Sequence, residues 1–301
     1  MKVTKNRLFH QPVLLNEAVE FLKVKPGKLY LDATLGGGGH SLRIIKKGGH
    51  VFGLDQDPEA IAYVKKHFKN VCPNASYTIC QGNFANLEEI LKKNKISKVS
   101  GILFDLGVSS HQLETDERGF SFQIDESLDM RMDPSLKVKA GDLINGLHEK
   151  ELIKLFSEMG EEPLSLPIAK AVVLDRKREP IRTTRQLAEI VKKVYWRKYR
   201  GRSKIHPATK VFLSLRIAVN DELNNLKKGL KQAARVLESG GRLVVISFHG
   251  LEDKIVKNYF KKGETEKCLQ ILTKKVVVPT LKEREENRRS RSAKLRVAVK
   301  I

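Results

Sequence analysis

The chain has 301 residues, enough for one large domain or two ordinary ones, and with 41% apolar and 31% charged residues it reads as globular and not as disordered. Its formal net charge of +22 sets up a positive field that selects polyanions as partners, either nucleic acid or an anionic membrane surface. A membrane-spanning helix is excluded, because no apolar run approaches the roughly 18 to 20 residues that a bilayer requires.

The N-terminal stretch, residues 1–11, is polar and basic and does not read as a secretory signal. Cys72, Cys80 and Cys268 are an odd count with no C-x-x-C spacing, which gives neither a disulfide framework nor a zinc site. The expectation is a cytosolic protein without structural metal.

An amphipathic helix is predicted over 17–22, capped by Asn16 and stopped by Pro26-Gly27. A short buried strand follows over 29–33, then four consecutive glycines, Gly36 to Gly39, then a helix to about Lys46. His50 to Leu54 reads as a second strand ending at Asp55. Asp57-Pro58 opens a helix with Ile61, Val64 and Phe68 at helical spacing. The rhythm repeats with a strand over 76–80, a helix over 83–91 and an apolar strand over 99–106. Alternation at this spacing indicates right-handed crossovers and a doubly wound, mostly parallel α/β sheet. Such sheets bind ligands at the carboxyl ends of their strands, where the glycine turn, Asp55 and Asp105 all fall.

After Leu106 the rhythm breaks. Residues 110–140 are polar and loop-like, 142–199 read as wholly helical in three pieces near 149–159, 167–178 and 183–195, and 208–237 carries one long helical pattern. Glu238-Ser239-Gly240-Gly241 stops that pattern before a strand over 243–247, and 295–301 reads as a last strand. The sheet domain is therefore expected over 1–112 and 206–301, interrupted by a helical insertion over 113–205.

Several nucleotide-like ligands compete for the glycine turn. A P-loop requires Lys before Ser41, and His40 stands there; a dinucleotide fingerprint requires a third glycine where Ser41 stands. S-adenosylmethionine carries no phosphate and dispenses with both. Asp55 suits ribose hydroxyls in either a nicotinamide or an S-adenosylmethionine enzyme, and a plain surface loop is the bland alternative. Asp105, in F-D-L-G-V-S-S-H-Q, would hold the amino-acid end of a cofactor, accept a proton-bearing nitrogen of the substrate, or simply cap a loop. Phe84 would lie against an adenine ring or pack in the core.

The segments D-A-T-L-G-G-G-G-H-S, G-L-D-Q-D-P-E-A-I, F-D-L-G-V-S-S-H-Q-L, R-G-F-S-F with L-D-M-R-M-D, K-I-H-P-A-T-K-V-F-L-S-L-R-I-A-V-N-D-E-L and S-F-H-G-L-E-D-K-I-V-K, in this order, resemble the bacterial ribosomal RNA small-subunit methyltransferase H family, also called MraW. The resemblance runs from His10 nearly to the C-terminus. It implies a Rossmann-like class I methyltransferase with an inserted all-helical domain, S-adenosyl-L-methionine as donor, and N4-methylation of a cytosine in the decoding region of small-subunit ribosomal RNA, as naked RNA or within the subunit. Carried over by position, it assigns cofactor contacts to Gly38, Gly39, His40, Asp55, Phe84, Asp105 and Gln112. Gly37 departs from the larger residue common in the family, which loosens the turn without removing a contact. Monomer and homodimer both remain open.

An exocyclic amine is a poor nucleophile, and a carboxylate is the strongest acceptor available to orient it. Asp105 is the first candidate, although Leu106-Gly107-Val108 follows it where many amino-group methyltransferases carry Pro-Pro-aromatic. His249 would take up the amine proton, or be an ordinary loop histidine, and Phe248 would stack on a base. No cysteine lies in these loops, which disfavours attack on C6 of the base.

From Arg176 to Lys210 the chain holds thirteen lysines and arginines against Glu179 and Glu189, with Tyr195, Trp196 and Tyr199 among them, a mixture suited to phosphate contact and base stacking. A second basic cluster spans 282–296, whose R-R-S-R-S is expected to be a loop that orders on RNA. The polar stretch 118–133 is expected either to close over the site or to be a structural loop. A nicotinamide enzyme, a non-catalytic RNA-binding factor and a DNA methyltransferase are the competing readings.

Overall fold

The computed structural model describes residues 12–109, 112, 118–200 and 205–301; the expectations that fall on residues 1–11, Ser110, His111, Arg202 and Lys204 lie outside them. The chain divides into two compact units, one of Met1–Ser110 with Leu223–Ile301 and one of His111–Glu222.

The first unit is built on seven strands: β1 (Leu29–Asp32), β2 (His50–Asp55), β3 (Tyr77–Gln81), β4 (Val99–Asp105), β5 (Leu237–Ser247), β6 (Leu269–Ile271) and β7 (Lys294–Lys300). They lie in the order β3-β2-β1-β4-β5-β7-β6, the first five parallel and β7 antiparallel to both its neighbours. This is the Rossmann-like class I methyltransferase arrangement that the sequence resemblance implied.

Strand residues alternate between two covered faces, which is why the central strands read as continuous apolar runs. Leu31, Phe52, Ile102, Phe104 and Val245 pack under α4 (Leu87–Lys93), α10 (Glu222–Val236) and α11 (Gly250–Thr265). Tyr30, Val51, Leu103 and Val244 pack under α1 (Leu15–Leu22) and α2 (Gly39–Lys46), while Val64 and Phe68 of α3 (Pro58–Val71) close on Leu35. The chain leaves β1 and β4, which are neighbours, on opposite sides of the sheet, so the carboxyl edge opens between them.

The second unit contains α5 (Ala140–Gly146), α6 (Glu149–Glu158), α7 (Ser165–Arg176), α8 (Thr184–Tyr199) and α9 (Thr209–Val219). Helices α6, α7 and α8 pack in sequence, and α9 packs on α5 and α6. The boundary therefore differs from the expected 205/206: α9 belongs with the helical unit because Val211, Phe212 and Leu215 are buried on the side that meets those helices.

Other expectations need correction. Asn16 does not cap α1; the helix starts after Leu14, a left-handed residue (φ 51°) whose N–H donates to Glu283 Oε1 at 2.8 Å. The helix expected over 83–91 is a 3-10 turn, Phe84–Asn86, followed by α4. The long helix over 208–237 is broken between α9 and α10. Asn220 takes the N–H of Met132 on its Oδ1 (2.7 Å) and donates from Nδ2 to the Met130 carbonyl (2.8 Å), and Asp221 is left-handed at φ 48°. Glu238 to Gly241 does not precede the strand but forms a bulge within β5, with Gly240 at φ 77°. Helix α11 and strand β6 carry no sequence expectation at all.

Candidate active site

The glycine turn sits at the end of β1 and opens α2. Gly36 and Gly38 adopt positive φ, 49° and 76°, which an L side chain resists. The glycines then divide by what surrounds them. A Cβ on Gly38 would meet Phe68 Cε1 at 2.8 Å, and one on Gly39 would meet Pro12 Cγ at 2.5 Å, so these two are glycine for packing. A Cβ on Gly36 would lie in ordinary van der Waals contact with Ser109 Cβ and the Thr34 carbonyl oxygen, both at 3.9 Å, so no clash demands glycine there and only its positive φ does. Where a dinucleotide fingerprint has its third glycine, the buried Ser41 hydroxyl donates to Asp32 Oδ2 at 2.6 Å and ties the helix start to β1.

Asp55, at the end of β2, holds this turn. Its Oδ2 accepts the Gly36 N–H at 2.7 Å and its Oδ1 the Asp57 N–H at 2.9 Å. Burial pushes its carboxyl up to about 6 against the lowering effect of those two bonds, with Asp57 and Asp32 adding like-charge repulsion. Each carboxylate oxygen keeps a second lone pair for a ligand hydroxyl. The end of β3 joins from the side: the Asn83 amide donates to Gln56 Oε1 at 2.8 Å, and the Gly82 N–H to the Asp55 carbonyl at 2.8 Å.

Asp105 closes β4, with its N–H donated to Thr34 Oγ1 at 2.6 Å. His40 is buried behind it, Nδ1 3.6 Å from Asp105 Oδ2 and Nε2 3.2 Å from the Val13 carbonyl oxygen. The strand ends therefore gather Asp32, Asp55, Asp57 and Asp105, and residues 32–42 contain no lysine or arginine.

Phe84 is half-buried, edge-on to Phe104 with ring centroids 5.4 Å apart, and a Cβ on Gly229 would meet its ring at 2.7 Å. One part of the ring packs in the core and the rest remains accessible. On the neighbouring strand end, the N–H groups of Phe248 and His249 donate to Glu252 Oε2 at 2.8 and 3.3 Å, and His249 Nε2 lies 3.1 Å from Glu252 Oε1. Phe248 lies over Gly107, where a Cβ would meet its ring at 3.6 Å, and packs against the core. Gln112 is buried and belongs to the other unit. Asp32, Thr34, Ser41 and Glu252 were not singled out from sequence; a carboxylate that ends a strand two residues before a hydroxyl, as in D-A-T, was the readable sign for the first two.

In the helical unit, the expected basic and aromatic stretch divides. Tyr195 is buried and donates to the buried Glu162 carboxylate (2.8 and 2.9 Å), which with burial raises the phenol above its usual range. Trp196 and Tyr199 are exposed. The stretch 118–139 is a folded loop: Asp129 makes a two-pronged pair with Arg131 (2.6 and 2.8 Å), and Arg131 also donates to the Pro134 and Leu136 carbonyls. Asp125 faces Arg185 at 3.8 Å, and Asp133 caps the Ser135 N–H. The second basic cluster, expected to be a loop, contains a short helix over Leu281–Glu286 and a 3-10 turn. Asn287 Oδ1 accepts the Arg289 N–H at 3.2 Å and starts a 3-10 turn, Arg288–Ser292, while Arg296 and Lys294 pair with Asp253. Burial of Asp253 opposes its ionisation, but those two cations hold its carboxyl below the usual range.

With this geometry in view, the sequence matches the MraW methylase family over residues 7–301, nearly the whole chain. The chain belongs to that family. Relatives named ribosomal RNA small subunit methyltransferase H include those of Carboxydothermus hydrogenoformans (45% identical, covering 97% of this chain and 98% of that one), Caldicellulosiruptor saccharolyticus (46%, 97% and 99%) and Sulfurihydrogenibium sp. (45%, 97% and 99%). For a MraW methylase, the glycine turn and the carboxylates of Asp55 and Asp105 lie on the edge of the sheet where ligands bind in this class of fold. No described helix is long and apolar enough to cross a membrane.

Proposed function

We propose that this MraW methylase transfers a methyl group from S-adenosyl-L-methionine to the N4 amine of a cytosine in the decoding region of small-subunit ribosomal RNA, in the cytoplasm. The observation that carries the cofactor is the acidic strand edge. The strand-end carboxylates, Asp55 and Asp105 first, suit a sulfonium and an ammonium group, and the turn lacks both the Lys of a P-loop and the third glycine of a dinucleotide fingerprint. Asp55, which holds the Gly36 backbone, fits a ribose, and the accessible part of Phe84 fits an adenine face. The names of the relatives and the charge of +22 support ribosomal RNA as the substrate.

Gly36, Gly38 and Gly39 would shape the cofactor's bed, Asp55 would hold its ribose, and Asp105, steadied by Thr34 and His40, would hold its amino-acid end or the substrate amine. When bound, S-adenosylmethionine supplies a methyl group activated on a sulfonium. The protein's own tasks are alignment and exclusion of water. In the second role, Asp105 accepts a hydrogen bond from the cytosine amine and draws its lone pair out of the ring. The methylated amine must then shed a proton. His249, whose Nε2 lies 3.1 Å from Glu252 Oε1, would take up that proton. Gln112 remains a candidate cofactor contact by position in the family's motif.

The test is incubation with methyl-labelled S-adenosylmethionine and small ribosomal subunits that lack the modification, followed by digestion to nucleosides. Label in N4-methylcytidine is expected. Label in another nucleoside refutes the N4-cytosine assignment, and bound cofactor with no label at all favours the non-catalytic RNA-binding reading.

A further inference from the structure

Helix α8 presents a side of its surface that the cofactor site does not use. Its inner face, Leu187, Val191, Val194 and Tyr195, is buried, and Tyr195 is pinned by Glu162. On the outer face Trp196 is 62% exposed, although an indole in water forfeits the hydrophobic stabilisation that burial would give. Among the described residues no guanidinium or ammonium lies over its ring. Lys192 and Lys193 precede it by one helical turn on the same face, Arg197 adjoins it, and Arg200 is the left-handed residue (φ 51°) that ends the helix. Glu189, Lys192, Lys193, Trp196 and Arg197 line a shallow groove, at one end of which Glu189 pairs with Lys192 at 3.1 Å. Attraction of cations to the helix C-terminus accounts for Arg197 and for Lys198. It does not account for an exposed indole among them.

We infer that this face of α8 binds single-stranded RNA, with one unpaired base stacked on Trp196 and the flanking phosphates on Lys193, Arg197 and Arg200. The inference rests on the proposal that RNA is the substrate and deepens it by naming a contact surface and the state of the strand. Charge complementarity selects the occupant. Cations around an uncovered aromatic ring match a strand whose bases are free, whereas a duplex keeps its base faces stacked away from any side chain.

Trp196 is the only tryptophan in the chain, so its fluorescence reports on this surface alone. The full-length protein would be titrated with a short single-stranded oligouridylate, with an abasic ribose-phosphate oligomer of the same length, and with duplex RNA, followed by both tryptophan emission and gel shift. Oligouridylate should quench the emission, and the abasic oligomer should bind without quenching. Trp196→Ala should weaken oligouridylate binding by roughly tenfold, in the range of one stacked base, and leave the abasic oligomer unaffected. Trp196→Phe should restore most of the loss, and Lys193→Glu should weaken both ligands.

Equal quenching by the abasic oligomer, equal or stronger binding of duplex RNA, or unchanged oligouridylate affinity in Trp196→Ala would each overturn the inference. Methyl transfer to small subunits by the unaltered protein separates the two claims. If transfer is intact while Trp196 is insensitive to RNA, the surface is wrong and the function stands; if neither RNA binding nor transfer occurs, the functional reading itself fails.

Discussion

Asp55 fixes the Gly36 and Asp57 backbones and would also offer its remaining lone pairs to a ribose. Only the ionised form does both well, because protonation turns one acceptor oxygen into a donor. Burial has raised its carboxyl to about 6, close to the working pH. A raised carboxyl is ionised above that value and protonated below it, so cofactor affinity should be level from pH 8 to 7 and fall as pH drops through 6. The decline should approach tenfold per pH unit. Calorimetric titration with S-adenosylhomocysteine across this range checks the prediction, and Asp55→Asn should bind weakly at every pH with a flat profile. A wild-type profile that stays level to pH 5 would remove Asp55 from the cofactor site.

At the scale of elements, the glycine turn separates stability from binding. Gly38→Ala imposes a left-handed alanine and drives its Cβ against Phe68, so it should destabilise the fold by about 2 to 4 kcal/mol in denaturant unfolding. Gly36→Ala meets no clash and carries only the conformational cost, about 1 to 2 kcal/mol, yet it adds a methyl to the turn that Asp55 holds and should weaken the cofactor more than the fold. The quoted run of four glycines looked uniform, and only the partners Phe68 and Pro12 divide it. Strands β1 to β5 were legible because each carries an apolar run ending in Asp, Gln or Ser, whereas the three-residue β6 was not. Helix α11 was not, because its buried residues, Glu252, Val256, Phe260 and Gly263, supply one small stripe among lysines and one of them is charged. The break between α9 and α10 was equally hidden, since good helix formers flank it and its cause lies about ninety residues away at Met130 and Met132. Asn220→Ala strands the Met132 N–H and should cost about 1 to 3 kcal/mol, read in the same unfolding experiment. No cost there would show that the break is set by Asp221 alone.

Over the whole molecule, the charge of +22 does not act as one field. Of the two basic clusters legible in the sequence, the one near the C-terminus is partly neutralised: Arg296 and Lys294 are committed to Asp253, and Lys282 faces Glu286. Among the described residues the cluster on α8 engages its cations in two exposed pairs, Lys192 with Glu189 and Arg185 with Asp125, of the kind that contributes little. This asymmetry was invisible in the sequence, because the acidic partners of the second cluster lie on α11 and α12 (Leu281–Glu286). It predicts different salt responses. Each phosphate contact on a single strand lowers the slope of log affinity against log salt concentration by about 0.7. Lys193→Gln with Arg197→Gln should therefore flatten that slope by about 1.4 in RNA-binding measurements at varied salt. Arg296→Gln should leave it unchanged and instead loosen the packing of α11 on β7. Trp196→Ala should lower affinity at every salt concentration while keeping the slope, because stacking releases no counterions. If Arg296→Gln flattens the slope as much as the α8 pair does, the RNA path runs over the C-terminal cluster as well, and the ion pairs with Asp253 give way to phosphate when RNA binds.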